Sequence, residues 1–175
     1  KNYFMIPESR ENNSIRLYKC SKFPNKWKFF KKIIVGINCV DPIVFKWKNR
    51  WLLIASKAKN EFLYNKLFVY TSKNPLSSNW EPLEINPVIT SNILGRNAGL
   101  IRESNKKIYR ISQAYLPGNY GAFVSINKIL AISKNKNYEK EIKKILPSYD
   151  RNTRGIHTLN YVKNFTVFDV SKWAK

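Results

Sequence analysis

Three kinds of side chain are scarce in this sequence: thiols, imidazoles and, relative to the basic residues, carboxylates. Cys20 and Cys39 are the only cysteines, and neither belongs to a CxxC pair or a Cys/His cluster, which excludes a disulfide scaffold and a cysteine-held metal module. Both read as buried free thiols in strands, a usage that leans towards a reducing compartment. His157 is the single histidine. No apolar run is long enough to cross a bilayer as a helix, and no signal-peptide pattern follows Lys1. Compartment is therefore open, with a cytoplasmic location favoured for a bacterial source.

Acidic residues number 11 against 32 Lys and Arg in 175 residues, a formal net charge of +21. Such a balance ordinarily points to nucleic acid or an anionic membrane surface. Here the lysines are scattered through almost every loop, alongside abundant Asn and Ile, as an AT-rich genome would produce. The densest basic run, Lys26 to Lys32 ("KWKFFKK"), alternates charge with apolar residues in the manner of a half-exposed outer strand. Nucleic acid is set below other partners on this reading.

What the sequence does contain is a repeat. Ile43 to Phe45, Trp51 to Ala55 and Lys66 to Ser72 are runs of β-branched and aromatic residues between turn-forming segments, and a weaker run follows at Trp80 to Leu83. They predict a four-stranded antiparallel unit, strands A to D. The B strand returns as "NRWLLIAS", "KKIYRISQ" and "KNFTVFDV", so that Trp51, Ile108 and Phe165 stand 57 residues apart. C and D return as well, with Ile15 to Cys20 and Trp27 to Ile34 in the first unit and Ser125 to Glu141 in the third. Lys1 to Glu8 has the shape of a B strand, and Pro87 to Asn97 reads as a long loop leading to an A strand at Gly99 to Glu103. Tyr138 to Leu146 has the Glu and Lys content of a helix, but the repeat assigns it to strand D.

Four short strands repeated at this length are the signature of a β-propeller blade. The expected fold is all-β: a partial β-propeller of about three blades of four antiparallel strands, from a five-bladed propeller. It forms one domain over 1–175, with blade fragments 1–35, 36–90, 91–150 and 151–175. Opening one strand into a blade, the chain reads as part of a longer protein with missing blades.

Propeller topology then selects candidate site residues. A strands line the central tunnel and B strands return antiparallel, so the start of A and the end of B share one rim. That rim receives Glu8, Asp41, Ser56, Arg96, Asn97, Gln113, Gly155 and His157, with Tyr115 and Tyr120 on a glycine-containing loop nearby. Convergent polar groups in a concavity are the default ligand-site hypothesis. Each also has a structural reading. Asp41 before Pro42 either faces a ligand or turns the chain. Glu8 is either a site carboxylate or a solvated partner of Arg10. Arg96 either holds an anionic group or makes a structural ion pair. The tyrosines either stack on a sugar or cover the blade.

The segments "FMIPES", "IRLYKCSKFPNKW", "INCVDPIVFKWKNRWLLI", "GRNAGLIRESNKKIYRISQ" and "RGIHTLNY" resemble the five-bladed propeller domain at the N-terminus of plant glucosamine inositolphosphorylceramide transferases. Similar domains occur in bacterial proteins, some joined to a formyltransferase domain. The resemblance covers essentially the whole chain. It implies the arabinanase-like and levansucrase-like superfamily, whose glycosidases use an Asp at the start of an A strand and a Glu in another blade. There a histidine on the axis can hold a metal ion through water, a role that would fall to His157.

Asp41 in "VDPIVF" matches the glycosidase Asp-Pro pattern, but one repeat later Arg96-Asn97-Ala98-Gly99 stands where those enzymes carry an acid. Glycoside hydrolysis needs two carboxyl groups, one protonated. The expectation is therefore a carbohydrate- or glycolipid-recognising domain, accessory to a fused transferase domain. Asp41, Arg96, Asn97, Gln113, Tyr120 and His157 would bind substrate, and no cofactor is required. The alternative is a glycosidase or transglycosidase with Asp41 as base or nucleophile and Glu8 as acid.

Overall fold

In the computed structural model the residues described are 2–57, 65–148, 152–162 and 164–173. Lys1 and Lys163, which open two of the repeat segments, and part of the Ile145–Asn152 connection lie outside them. Among the described residues fifteen strands form four antiparallel sheets, and there is no α-helix, only a 3-10 turn at Arg10–Asn12. The chain is a partial β-propeller.

The first sheet is β1 (Phe4–Met5), β2 (Ser14–Lys22) and β3 (Lys26–Val35). The second contains β4 (Cys39–Trp47), β5 (Arg50–Lys57), β6 (Lys66–Ser72), β7 (Glu81–Pro82) and β8 (Ile89–Thr90). The third contains β9 (Arg96–Asn97), β10 (Arg102–Ser104), β11 (Lys107–Leu116), β12 (Asn119–Ser133) and β13 (Lys136–Ile145). The last is the hairpin β14 (Thr153–Val162) and β15 (Phe165–Lys172).

Apolar residues on alternate positions fill the seams between sheets. Ile15, Leu17 and Ile33 pack on Leu53, Ala55, Tyr70 and Trp80; Leu52, Ile54 and Val69 meet Ile129 and Ile132; Ala98, Ile111 and Val124 meet Ile156 and Leu159. Fully burying one such Leu, Ile or Val stabilises the fold by roughly 1.5–3 kcal/mol, so each seam is a core in its own right.

Several expected strands are shorter, for identifiable reasons. The first is confined to Phe4–Met5, because Pro7 lacks a donor and the chain enters the 3-10 turn soon after. The D strand expected at Trp80–Leu83 is reduced to β7, and the expected Pro87–Asn97 loop contains the short strands β8 and β9; β7 and β8 pair with opposite ends of β6. In the gap the side-chain amide of Asn86 takes both backbone groups of Val69: Nδ2 donates to its carbonyl and Oδ1 accepts from its N–H, each at 2.8 Å. The expected Tyr115–Gly121 loop is instead continuous strand, since β11 and β12 run on to a two-residue turn at Pro117–Gly118 with Gly118 at φ +73°. Trp80 packs between sheets, whereas Trp27 stays on its own hairpin, donating from Nε1 to Pro24 O at 2.7 Å.

The innermost strands share one irregularity. The β4–β5 ladder shifts register at Asp41–Pro42, and the β14–β15 ladder shifts at His157–Thr158. Between them, β9 and β10 are separated at Ala98–Ile101, where Leu159 N–H donates to Ala98 O at 2.7 Å and Leu100 N–H donates to Asn160 Oδ1 at 2.9 Å. The expected A strand at Gly99–Glu103 is thus broken because the chain turns to bond the next blade.

Candidate functional site

The bulge at Asp41 decides where its carboxylate goes. Asp41 lies at φ +51°, a left-handed conformation that Asp tolerates better than most residues. Bulges re-aim side chains at sheet edges. Here the carboxylate meets Arg96 from the next blade, with Arg96 Nε donating to Asp41 Oδ2 at 2.8 Å. The two side chains keep 18% and 25% of their exposure, so the pair sits at the surface of the seam rather than inside it. Turn and site readings of Asp41 are therefore compatible: the strained backbone is what presents the carboxylate.

Asn97, one residue further, points the other way and is fully buried. Its N–H donates to Ser56 Oγ at 3.1 Å, and Nδ2 donates to Asp41 O at 2.8 Å and Ile54 O at 3.3 Å. Its Oδ1 accepts from Arg110 Nη1 at 3.3 Å. Arg110 is itself fully buried and grips Glu139 with Nε and Nη2, while Nη2 also donates to Leu94 O. Gln113, 2% exposed, donates to Asn97 O at 3.1 Å. Contrary to the sequence expectation, Asn97 does not offer its side chain to a ligand at the rim. It clamps the second blade to the third and fixes the backbone of Asp41. Gln113 supports that clamp and, against the upward push of burial, pulls the Tyr120 phenol down from its position beside it.

Two glycines bring the third and fourth blades together at the rim. Gly121 has φ +68°, and a Cβ on Gly155 would lie 2.6 Å from Gly121 O. Only glycine fits that approach. It delivers Tyr120 onto the fourth blade, where its hydroxyl stands 2.6 Å from His157 Nε2. His157 Nδ1 lies 2.9 Å from Asp169 Oδ2, and the other Asp169 oxygen accepts the backbone N–H groups of His157 and Thr158. With the carboxylate accepting from Nδ1–H, Nε2 is the acceptor for the phenol O–H. Tyr120 completes the arc by lying under the Arg96 guanidinium, 5.0 Å from ring centroid to Cζ.

Electrostatics fix the protonation of Tyr120 and of Asp169. Burial pushes the Tyr120 phenol up, Arg96 pulls it down, and Asp41 and Glu8 raise it again, so the net direction is upward and the hydroxyl stays protonated. Burial likewise raises the Asp169 carboxyl, but the hydrogen bonds from His157 and Thr158 outweigh it and hold the group below its usual range. Nearby, burial drives the Cys39 thiol up to about 12, which removes it as a nucleophile.

Of the residues expected at the rim, Asp41, Arg96, Tyr120 and His157 form one connected chain across three blades. Glu8 is exposed, within electrostatic range of Tyr120 and Cys39. A metal on His157 does not fit, since both ring nitrogens are engaged; among the described residues no cluster of three His, Cys, Asp or Glu gathers to hold an ion. Asp169 was not anticipated. Its signal was present: it is the one charged residue in the apolar run Phe165–Val170, on the strand paired with that of His157.

The profile of the family described as "Glucosamine inositolphosphorylceramide transferase 1, N-terminal" matches residues 1–173. The glucosamine inositolphosphorylceramide transferase 1 of Arabidopsis thaliana is 30% identical over 146 residues, covering 79% of this chain and 18% of that protein. That of Oryza sativa subsp. japonica is 27% identical over 137 residues, covering 76% and 18%. The chain thus spans 18% of the length of these curated relatives. Among solved structures, an exo-beta-1,3-galactanase from Phanerochaete chrysosporium superposes with a TM-score of 0.68 at 10% identity, over 99% of this chain and 41% of that one. An exo-beta-1,3-galactanase from Clostridium thermocellum gives 0.54 at 14% identity, over 87% and 36%. At such identities the likeness is one of fold.

Proposed function

Because this chain belongs to the family of the N-terminal domain of glucosamine inositolphosphorylceramide transferase 1, we propose that it is a carbohydrate- or glycolipid-recognising propeller that serves a sugar transferase. The transfer chemistry would lie on another part of the longer protein. The observation that carries this reading is the continuous chain Asp41–Arg96–Tyr120–His157–Asp169, assembled from three blades at one rim.

Each member suits a sugar. Tyr120, 45% exposed, offers a ring face for the C–H side of a pyranose and a hydroxyl for its edge. Arg96 would hold an anionic substituent such as a phosphate or carboxylate, for which a planar fork is well matched. Asp41 and His157 orient those two groups and would accept or donate to sugar hydroxyls. Asn97 and Gln113 act behind them.

The test is retention of the full-length protein on a glycan and glycolipid array. Arg96→Ala and Tyr120→Ala should abolish retention while leaving the melting temperature near that of the parent. Undiminished retention by both variants would remove the proposal. Hydrolysis by Asp41 and Glu8 is separately testable: turnover of aryl glycosides that disappears in Asp41→Asn would establish it in place of simple recognition.

A further inference from the structure

The opposite end of the sheets, away from Asp41 and His157, has its own concavity. The β4–β5 hairpin, β7 and the β12–β13 hairpin enclose a cleft of about 470 Å3 between the second and third blades, within the size range of small-ligand sites. One wall is apolar, built from Trp47, Leu52, Leu83 and Ile132. The other carries Arg50, Thr71 and Glu81, which also border an adjoining polar hollow of about 250 Å3 lined by Ser72, Asn74, Ser77 and Asn79. The two hollows form one elongated groove divided by the Arg50–Glu81 pair, whose N···O distance is 3.7 Å.

Charge around the groove is unbalanced. Glu81 is taken by Arg50 and Glu84 by Lys134 at 2.7 Å. Lys48 and Lys73, which line the groove beside them, have no carboxylate partner among the described residues. The indole N–H of Trp47 is enclosed and has no acceptor, and a buried donor in that state costs free energy until something accepts from it. An aromatic platform flanked by a guanidinium, a carboxylate and hydroxyls is the donor set that a sugar ring requires, and the surplus of lysines selects for a negative substituent.

We propose that this groove is a second binding site, for an anionic saccharide, a sugar phosphate or a hexuronate, independent of the Arg96–Tyr120 rim. The ring would lie along the Trp47 wall, with its hydroxyls towards Arg50, Thr71 and Glu81 and its anionic group towards Lys48 and Lys73. A small turn of the indole would let Nε1 donate to a ring hydroxyl.

The experiment is calorimetric titration of the full-length protein, with nitrogen-15 spectra of the indole N–H resonances, using glucose 1-phosphate, glucuronic acid, glucose and inorganic phosphate as probes. One or both anionic sugars should bind at least tenfold more tightly than glucose or phosphate and shift the Trp47 indole resonance. Binding should persist in Arg96→Ala, which disables the other rim, and in that background weaken at least tenfold when Arg50→Gln or Trp47→Ala is added. If Trp47→Ala fails to fold, Arg50→Gln and Lys48→Gln decide the matter. The proposal is overturned if no anionic sugar binds, if inorganic phosphate binds equally well, or if the groove variants bind like the parent.

Discussion

Tyr120 and His157 belong to neighbouring blades and meet through a 2.6 Å contact between the phenol oxygen and Nε2, with Asp169 on the far nitrogen of the ring. The imidazole is thereby oriented from behind, and the phenol proton is directed to Nε2.

Removing that hydroxyl tests the relationship directly. Tyr120→Phe should keep the ring over which Arg96 lies and leave the fold intact, yet weaken ligand binding by about 0.5–1.5 kcal/mol, the usual net worth of one hydrogen bond. Calorimetric titration of the parent and variant with the array-selected glycan measures it. A tyrosine that merely covers the blade would give no change.

Asn97 and Arg110 should behave as structural residues. Arg110→Ala strands Glu139, whose side chain is only 4% exposed, and breaking such a buried pair costs about 3–5 kcal/mol. Asn97→Ala should cost roughly 1–3 kcal/mol through the unsatisfied groups it leaves. Urea unfolding reads both losses, and Arg96→Ala, at the surface of the seam, should lie well below them.

Acid should loosen the last hairpin first. The Asp169 carboxyl is held below its ordinary value in the folded chain, so its contribution is present above the unfolded carboxylate value of about 4 and is lost as pH falls through the folded one. Comparing Asp169→Asn with the parent by thermal melting at pH 6 and pH 3 should show a gap at pH 6 that closes at pH 3. Because the group is half exposed, the gap will be modest.

Gly155→Ala should separate Tyr120 from His157. Its Cβ would collide with Gly121 O at 2.6 Å and Ser171 Oγ at 2.8 Å, an overpacking worth about 1–3 kcal/mol. Loss of ligand retention together with reduced hydrogen-exchange protection along β14 is the expected result. Gly118→Ala, which meets nothing within 4 Å, supplies a control for backbone strain alone.

The blade repeat was legible because β-branched and aromatic runs recur at a fixed interval, and blade topology alone predicted that Asp41, Arg96 and His157 would meet. Which face each residue presents was not legible. Arg96 and Asn97 are consecutive in β9, and strand alternation sends one to the rim and the other inside. No residue-type rule says which is which, since the register depends on the Ser56 and Arg110 contacts made from distant segments. Asp169 was missed for a related reason. Asp169 stands one residue short of the position that Ser56 and Gln113 hold in the repeat, and it faces His157 only because the β14–β15 ladder shifts register there. Bulges are set by tertiary fit and leave little trace in sequence.

The interruption shared by the three inner strands has a bearing on how such a protein changes over time. The ladders run on either side of each bulge and carry the architecture, and only the bulged positions escape strict pairing. Side chains at the surface beside the bulges, Arg96 and Tyr120 among them, can then be exchanged while the paired segments stay in place, so one scaffold can be refitted to new ligands by a few substitutions.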